Sequence, residues 1–281
     1  MDVLVVDAFA TEPMAGRPVA VLPEADLTDD QYRAVADELG AAGTLAAEPD
    51  GLYAVGARAD VAVAVAAGAL VERGREPGAA TVRGHRDLSV DIAADGTVTV
   101  GLPAGGSRPV EVSESEVADA LGVDRAALAD VGADLPMARV SAGAGYLAVP
   151  VNFMEHLGNA DPDREWVAGL LDEVDAEALY AFTFDTLAAE TDWHARAFTR
   201  EGEVAASARG AAATGAYVRQ QGALDADRES LVAASGHFVG RPSRVGVDLA
   251  GADPEVAGTA LTVFDGVVTL PEPEEDDIVE A

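Results

Sequence analysis

Short apolar runs separated by turn residues dominate the chain. VLVVDAF (Val3–Phe9) is apolar and β-branched, which predicts a buried strand. EPMAGRP follows as a turn, and VAVLP as a second short strand. In LTDDQYRAVADEL (Leu27–Leu39), the residues Leu27, Tyr32, Val35 and Leu39 recur at helical spacing, with Thr28 as N-cap and Gly40 as stop. Further strands are expected at 44–47 and 52–55. Asp60–Glu72 (DVAVAVAAGALVE) alternates at first like a strand, but its length and alanine content favour a helix. Being apolar on all sides, that helix would be enclosed. The runs at 87–92 and 97–102 flank AADG and predict a hairpin. PAGGSRP (Pro103–Pro109) has the composition of a linker.

The second half repeats the plan. SESEVADALG carries a capping-box pattern, Ser113 with Glu116, and stops at Gly122. Strands are expected at 138–141 and 146–150, a helix at 164–173, and strands at 179–184 and 194–199. VAASARGAAATG (Val204–Gly215) then opens a second alanine-rich helix over about 207–220. Strands near 231–238, 244–249, 259–264 and 267–270 complete the pattern. The economical packing is an α/β (α+β) chain of two similar lobes, each a curved sheet or barrel wrapped round a central alanine-rich helix. Residues 1–106 would form the first lobe, completed by a C-terminal strand near 259–271. Residues 107–258 would form the second, and 272–281 an acidic, solvated tail.

Charge changes the picture of the surface. Fifty acidic residues stand against 18 basic ones, a formal net charge of -32, and every basic residue is Arg. Nucleic acid and anionic membranes are therefore poor partners. With 49% hydrophobic residues the chain is no disordered acidic polymer. A folded domain with a carboxylate coat suited to a high-salt cytoplasm is the preferred reading. At ~1 M salt the Debye length is about 3 Å and the self-repulsion is largely screened. Cysteine is absent, so neither disulfide nor thiolate chemistry is available. Met1 leads straight into the first strand, without the charged and apolar regions of a signal peptide, and no apolar run is long enough to span a bilayer.

The motifs VDAFATEPMAGRPVAVL, ADELGAAGTLAA, DVAVAVAAGAL, PVNFMEHLGNADPD and HARAFTREGEVAASARGAAATG occur in this order, followed by VAGTALTVFDGVVTL. Together they resemble the PhzF-like proteins, the phenazine-biosynthesis isomerase family, over essentially the whole chain. The resemblance implies a diaminopimelate epimerase-like fold, a cofactor-independent isomerase without metal, a small anionic metabolite bound between the lobes, and a homodimer. It also implies that the catalytic side chains have gone. The general acid/base Glu of the family aligns with Gly43, next to Thr44. The His of its first inner helix aligns with Ala66, and the Asp of its second loop with Ala206. Its N-terminal Asn aligns with Arg17. In that second loop Ser207, Arg209, Gly210 and Ala211 remain as possible ligand contacts, through backbone N–H groups at a helix N-terminus and one charge. The bland reading of Arg209 is a pair with surface acids.

Moving a proton at carbon needs a positioned acid or base, and losing one typically forfeits 10²–10⁴-fold. Possible substitutes are Asp60, Glu201, Glu203 and His194, each also readable as a surface or structural residue. His85 reads as an exposed turn residue, and His156 and His237 as scaffold. The four histidines show no metal spacing. Two functions follow. One is an isomerase or epimerase with altered or weakened chemistry. The other is a catalytically silent paralogue that binds a small anion or pairs with an active relative. A purely structural dimer module is a third.

Overall fold

The computed structural model describes residues 1–56, 59–129, 131, 135–224 and 228–270. The acidic tail at 272–281 lies outside the described residues.

The first half runs β1 (Asp2–Ala8), β2 (Arg17–Leu22), α1 (Asp29–Glu38), β3 (Thr44–Glu48), β4 (Gly51–Val55), α2 (Asp60–Val65), β5 (Gly78–Arg83), β6 (Leu88–Ile92) and β7 (Val98–Gly101). A short β8 (Ser107–Pro109) and α3 (Glu114–Leu121) lead into the second half. That half runs β9 (Ala138–Ser141), β10 (Gly145–Pro150), α4 (Met154–Gly158), α5 (Arg164–Val174), β11 (Ala178–Thr183), β12 (Trp193–Thr199), β13 (Gly202–Val204) and α6 (Ala208–Gln220). It ends on β14 (Ser230–Ser235), β15 (Ser243–Asp248), β16 (Glu255–Gly258) and β17 (Ala260–Val267).

The strand pairings repeat. From β1 to β7, neighbours pair antiparallel, parallel, antiparallel, parallel, antiparallel, antiparallel. The series β9, β10, β11, β12, β14, β15, β16 gives the same order. The parallel steps are crossovers, and the second crossover in each half carries an inner helix, α2 or α6. β7 pairs antiparallel with β16, its counterpart, so one sheet runs through both halves. β17 returns to pair with β1, and β8 with β9, so each half is edged by a strand that follows the end of the other half or leads into its own.

Both capping boxes form, Thr28 with Gln31 and Ser113 with Glu116. Each satisfies two otherwise orphaned N–H groups, worth about 1 kcal/mol. Residues 60–73 are helical throughout, as α2 followed by 3₁₀ turns over 66–73, and every residue from Asp60 to Leu70 is buried. The tighter winding accompanies a close approach: a Cβ on Gly68 would stand 2.0 Å from the carbonyl oxygen of Gly96 in the β6–β7 turn. The largest core cluster surrounds α2 and α6, packing them against the inner faces of both half-sheets. Two smaller clusters lie under α3 with α5, and under α1. No described helix is long and apolar enough to cross a membrane.

Three expectations are corrected. The runs at 259–264 and 267–270 are not a strand pair, because Asp265 and Gly266 do not turn. They stay in register with Leu4 and Val3 along β1. The strand expected over 231–238 stops at Ser235, where Gly236 takes a left-handed backbone (φ 75°) and a 3₁₀ turn follows. The linker over 103–109 contains β8. The strand β5, GAATVR, had no reading in the sequence: its residues are mostly small, and Val82 alone among them is buried.

Candidate functional site at the mouths of the inner helices

α2 and α6 point their N-termini at one another across the seam between the two half-sheets. Asp60 is the first residue of α2 and Arg209 the second of α6. Arg209 Nε donates to Asp60 Oδ1 at 3.1 Å and Nη2 to Oδ2 at 2.7 Å. Both side chains are buried, with 6% and 11% of their surface exposed. Arg209 Nη1 donates to the Ala142 carbonyl at 2.9 Å, and the Val61 N–H donates to Asp60 Oδ1 at 2.8 Å. A bidentate pair of this kind fixes both planes.

Beside this pair lies a cavity of about 30 Å³ lined by Phe9, Arg17, Asp60, Tyr146 and Ser207–Arg209, among others. That is room for one or two waters or a single small anionic group, far below the ~300 Å³ and upward of ordinary ligand pockets. Arg17, at the start of β2, donates to the Ala206 carbonyl at 3.3 Å. Burial lowers the pKa of its guanidinium, with Tyr146 and Asp60 acting the other way, but an arginine stays charged. Tyr146 and Ser207 both line the cavity. Burial, aided by Glu177 and opposed by Ser207 and Arg209, pushes Tyr146 up to about 12, so it is a neutral phenol at ordinary pH. Phe9 forms one wall with a left-handed backbone (φ 60°), a strained conformation for a bulky residue.

The residues singled out by sequence divide sharply. Ser207 and Arg209 meet at the cavity, and Ala206 lends its carbonyl to Arg17. Gly210 and Ala211 lie one step further into α6; a Cβ on Gly210 would press on the Tyr180 ring at 2.7 Å. Thr44 is elsewhere, its hydroxyl donating to the Tyr32 carbonyl at 2.7 Å and tying α1 to β3. Ala66 is not at a helix mouth. α2 begins at Asp60, so Ala66 sits more than a turn inside, fully buried, and Asp60 holds the mouth. Gly43 is no emptied socket: a Cβ there would stand 2.5 Å from the Val55 carbonyl oxygen and 2.8 Å from Val63. Arg209 is not a surface pair.

The possible substitute bases are placed as well. Glu203 accepts from Arg196 Nε and Nη2 at 2.6–3.1 Å in a second buried pair. Arg196 also stacks over Phe198 and Phe238, and donates to the Leu157 and Ala160 carbonyls. Glu203 is therefore held structurally, and neither it nor Glu201 lines the cavity. His194 is 2% exposed, packs against His237 and Phe238, and neither ring nitrogen has a partner. It too is away from the cavity. Sequence reasoning missed Tyr146, Phe9 and the partnership of Asp60. The available signal was an Asp and an Arg, each opening an otherwise apolar helix, since buried charges require partners.

The backbone is similar to that of a PhzF-family phenazine biosynthesis protein from Bacillus anthracis, with a TM-score of 0.81 at 21% identity, covering 95% of this chain and 99% of that one. The fold is the PhzF fold. A predicted epimerase from Pseudomonas aeruginosa aligns with a TM-score of 0.75 at 20% identity, over 95% and 98% of the two chains. In sequence, the chain is 24% identical over 289 residues to the uncharacterized isomerase YfhB of Bacillus subtilis, spanning 94% of this chain and 96% of that protein. More distantly, a probable proline racemase from Agrobacterium radiobacter aligns with a TM-score of 0.51 at 12% identity. No family model matches the chain. The PhzF-like resemblance and the epimerase-like α/β fold expected from sequence hold.

Proposed function

We propose that this chain is a PhzF-like isomerase scaffold that binds a small carboxylic acid at the mouths of its inner helices, with the proton-transfer step weakened or lost. The observation that carries this is the state of Asp60. It is the carboxylate lining the cavity, and both its oxygens are engaged by Arg209. A base must accept a proton from the reacting carbon, and a carboxylate already holding three donors has little capacity left for that. Tyr146 is a neutral phenol at ordinary pH and Ser207 a plain alcohol, so neither supplies a base. The isomerase half of the reading is supported by the similarity to YfhB and to the epimerase from Pseudomonas aeruginosa. The carboxylate half is supported by the two guanidinium groups beside the cavity. The proline racemase of related fold was solved with bound carbonate.

A second reading is a silent paralogue that pairs with another copy or with an active relative. The small cavity favours it, because a whole metabolite does not fit in about 30 Å³. Isotope exchange tests the first reading. The protein is incubated in deuterated molar-salt buffer with small amino and hydroxy acids, and exchange at carbon is followed by NMR. No exchange above buffer is expected. Exchange that disappears in Asp60→Asn would show a working base and end the claim of weakened chemistry.

A further inference from the structure

The inner helix of the first half ends at a second, larger cavity. The left-handed Gly74 (φ 89°) closes the helical run 60–73, its N–H donating to the Val71 carbonyl and that of Arg75 to the Leu70 carbonyl. Beside this end lies a cavity of about 690 Å³ lined by Asp2, Glu24, Ala47, Leu70, Arg73 and Arg75, among others. That volume falls within the range of about 300–1,000 Å³ typical of small-molecule sites. The length of the helix, roughly 20 Å, separates it from Asp60.

The charges at this cavity are not matched to one another. Arg73 is paired with Asp265. Arg75 is half-buried, its Nε is sealed without an acceptor, and its side chain has no hydrogen bond or ion pair among the described residues. This is so in a chain with 50 acids to 18 arginines. A buried donor left without an acceptor is destabilising. Asp2 and Glu24 are exposed, and neither has a side-chain partner among the described residues, Arg75 included. The last carbonyls of the helix add partial negative charge. The cavity therefore offers one unpaired cationic donor together with two free carboxylates and the negative end of a helix.

We propose that this cavity is a binding site for a free α-amino acid, with the carboxylate on Arg75, the ammonium group among Asp2, Glu24 and the helix end, and the side chain against Leu70 and Ala47. A carboxylate laid along the edge of the guanidinium accepts from Nε and Nη2 together. A purely anionic ligand gains that contact but is repelled by the two acids. A purely cationic ligand leaves Nε without an acceptor. A zwitterion satisfies both groups. The acids are exposed and their attraction is screened, so the Arg75 contact contributes the larger share of the affinity.

The test titrates L-leucine into the full chain in molar potassium chloride and follows it by saturation-transfer NMR. Two controls of similar shape are 4-methylpentanoate, which lacks the amino group, and leucinamide, which lacks the carboxylate. Saturable binding of leucine is expected, with each control weaker and leucinamide weaker by about tenfold or more. Arg75→Gln should weaken leucine binding by a similar factor without lowering the melting temperature, because the side chain has no partner to lose. Asp2→Asn combined with Glu24→Gln should narrow the gap between leucine and 4-methylpentanoate. Absence of saturable binding, or leucine binding retained in a folded Arg75→Gln variant, overturns the site. Equal binding of leucine and 4-methylpentanoate, or a gap unchanged by the double acid variant, overturns the assignment to a zwitterion.

Discussion

Asp60 and Arg209, 149 residues apart in sequence, form a buried bidentate ion pair that joins the N-terminus of one inner helix to that of the other. The two partners are not equivalent. Asp60 sits where a carboxylate gains from its helix dipole, and Arg209 where a cation loses. The pair therefore stands on mutual attraction and on the Ala142 carbonyl, with the helix dipoles helping one partner and opposing the other.

Breaking that pair on one side should be costly. Asp60→Ala leaves Arg209 buried beside Arg17 without a counter-charge, and removing one partner of a buried pair typically costs about 3–5 kcal/mol. Replacing both, as Asp60→Leu with Arg209→Met, removes the desolvation penalty together with the attraction and should cost far less. Denaturant unfolding of the two single variants and the double variant in molar salt measures the coupling. Single-variant costs that simply add would show that the pair contributes nothing specific.

Restoring the family acid should fail. Gly43→Glu places a Cβ against the Val55 carbonyl oxygen and the Val63 side chain, and Gly56 approaches from the other side. Backbone cannot step aside as a flexible side chain can, so overpacking should cost about 3 kcal/mol. No gain in carbon-bound isotope exchange is expected. A stable Gly43→Glu protein with measurable exchange would show that the loop still accommodates a catalytic carboxylate.

The fold was legible because its signals are local and redundant. Thr28 with Gln31 and Ser113 with Glu116 announce two helices, and the alternation either side of AADG announces a hairpin. The site was only half legible. Ser207 and Arg209 stood out because they interrupt an alanine run, yet nothing local says that Arg209 meets Asp60 rather than solvent. Tyr146 lies on a fully buried strand and looks like any other core residue. Alanine repeats carry no register, so nothing local says that Ala66 follows a helix that already starts at Asp60.

A pH dependence should arise at His194, outside the cavity. Burial, with His237 and Arg196 adding repulsion, lowers it to about 4 from an ordinary 6.5. The folded state thus holds it neutral while the unfolded state binds a proton below about pH 6.5. Stability is fully present above 6.5 and lost as pH falls towards 4, by roughly 3 kcal/mol from this group. His194→Leu should flatten that part of the profile, and should not destabilise at neutral pH because neither ring nitrogen has a partner to lose. Melting temperatures from pH 7 to 4 for both proteins check this. An unchanged acid slope in the variant would assign the loss to other groups.

Salt should stabilise the chain through its surface rather than through any single pair. The net charge of -32 is spread over the exterior, and pairs such as Arg33–Asp30 and Arg125–Glu114 are solvent-exposed and worth about 0–1 kcal/mol each. The dominant surface term is therefore self-repulsion, which screening relieves as the Debye length falls from about 10 Å at 0.1 M to about 3 Å at 1 M. The melting temperature should rise steeply over that interval and level off above it. A melting temperature independent of salt from 0.1 to 2 M KCl would mean that the carboxylate coat exerts no net strain on the fold.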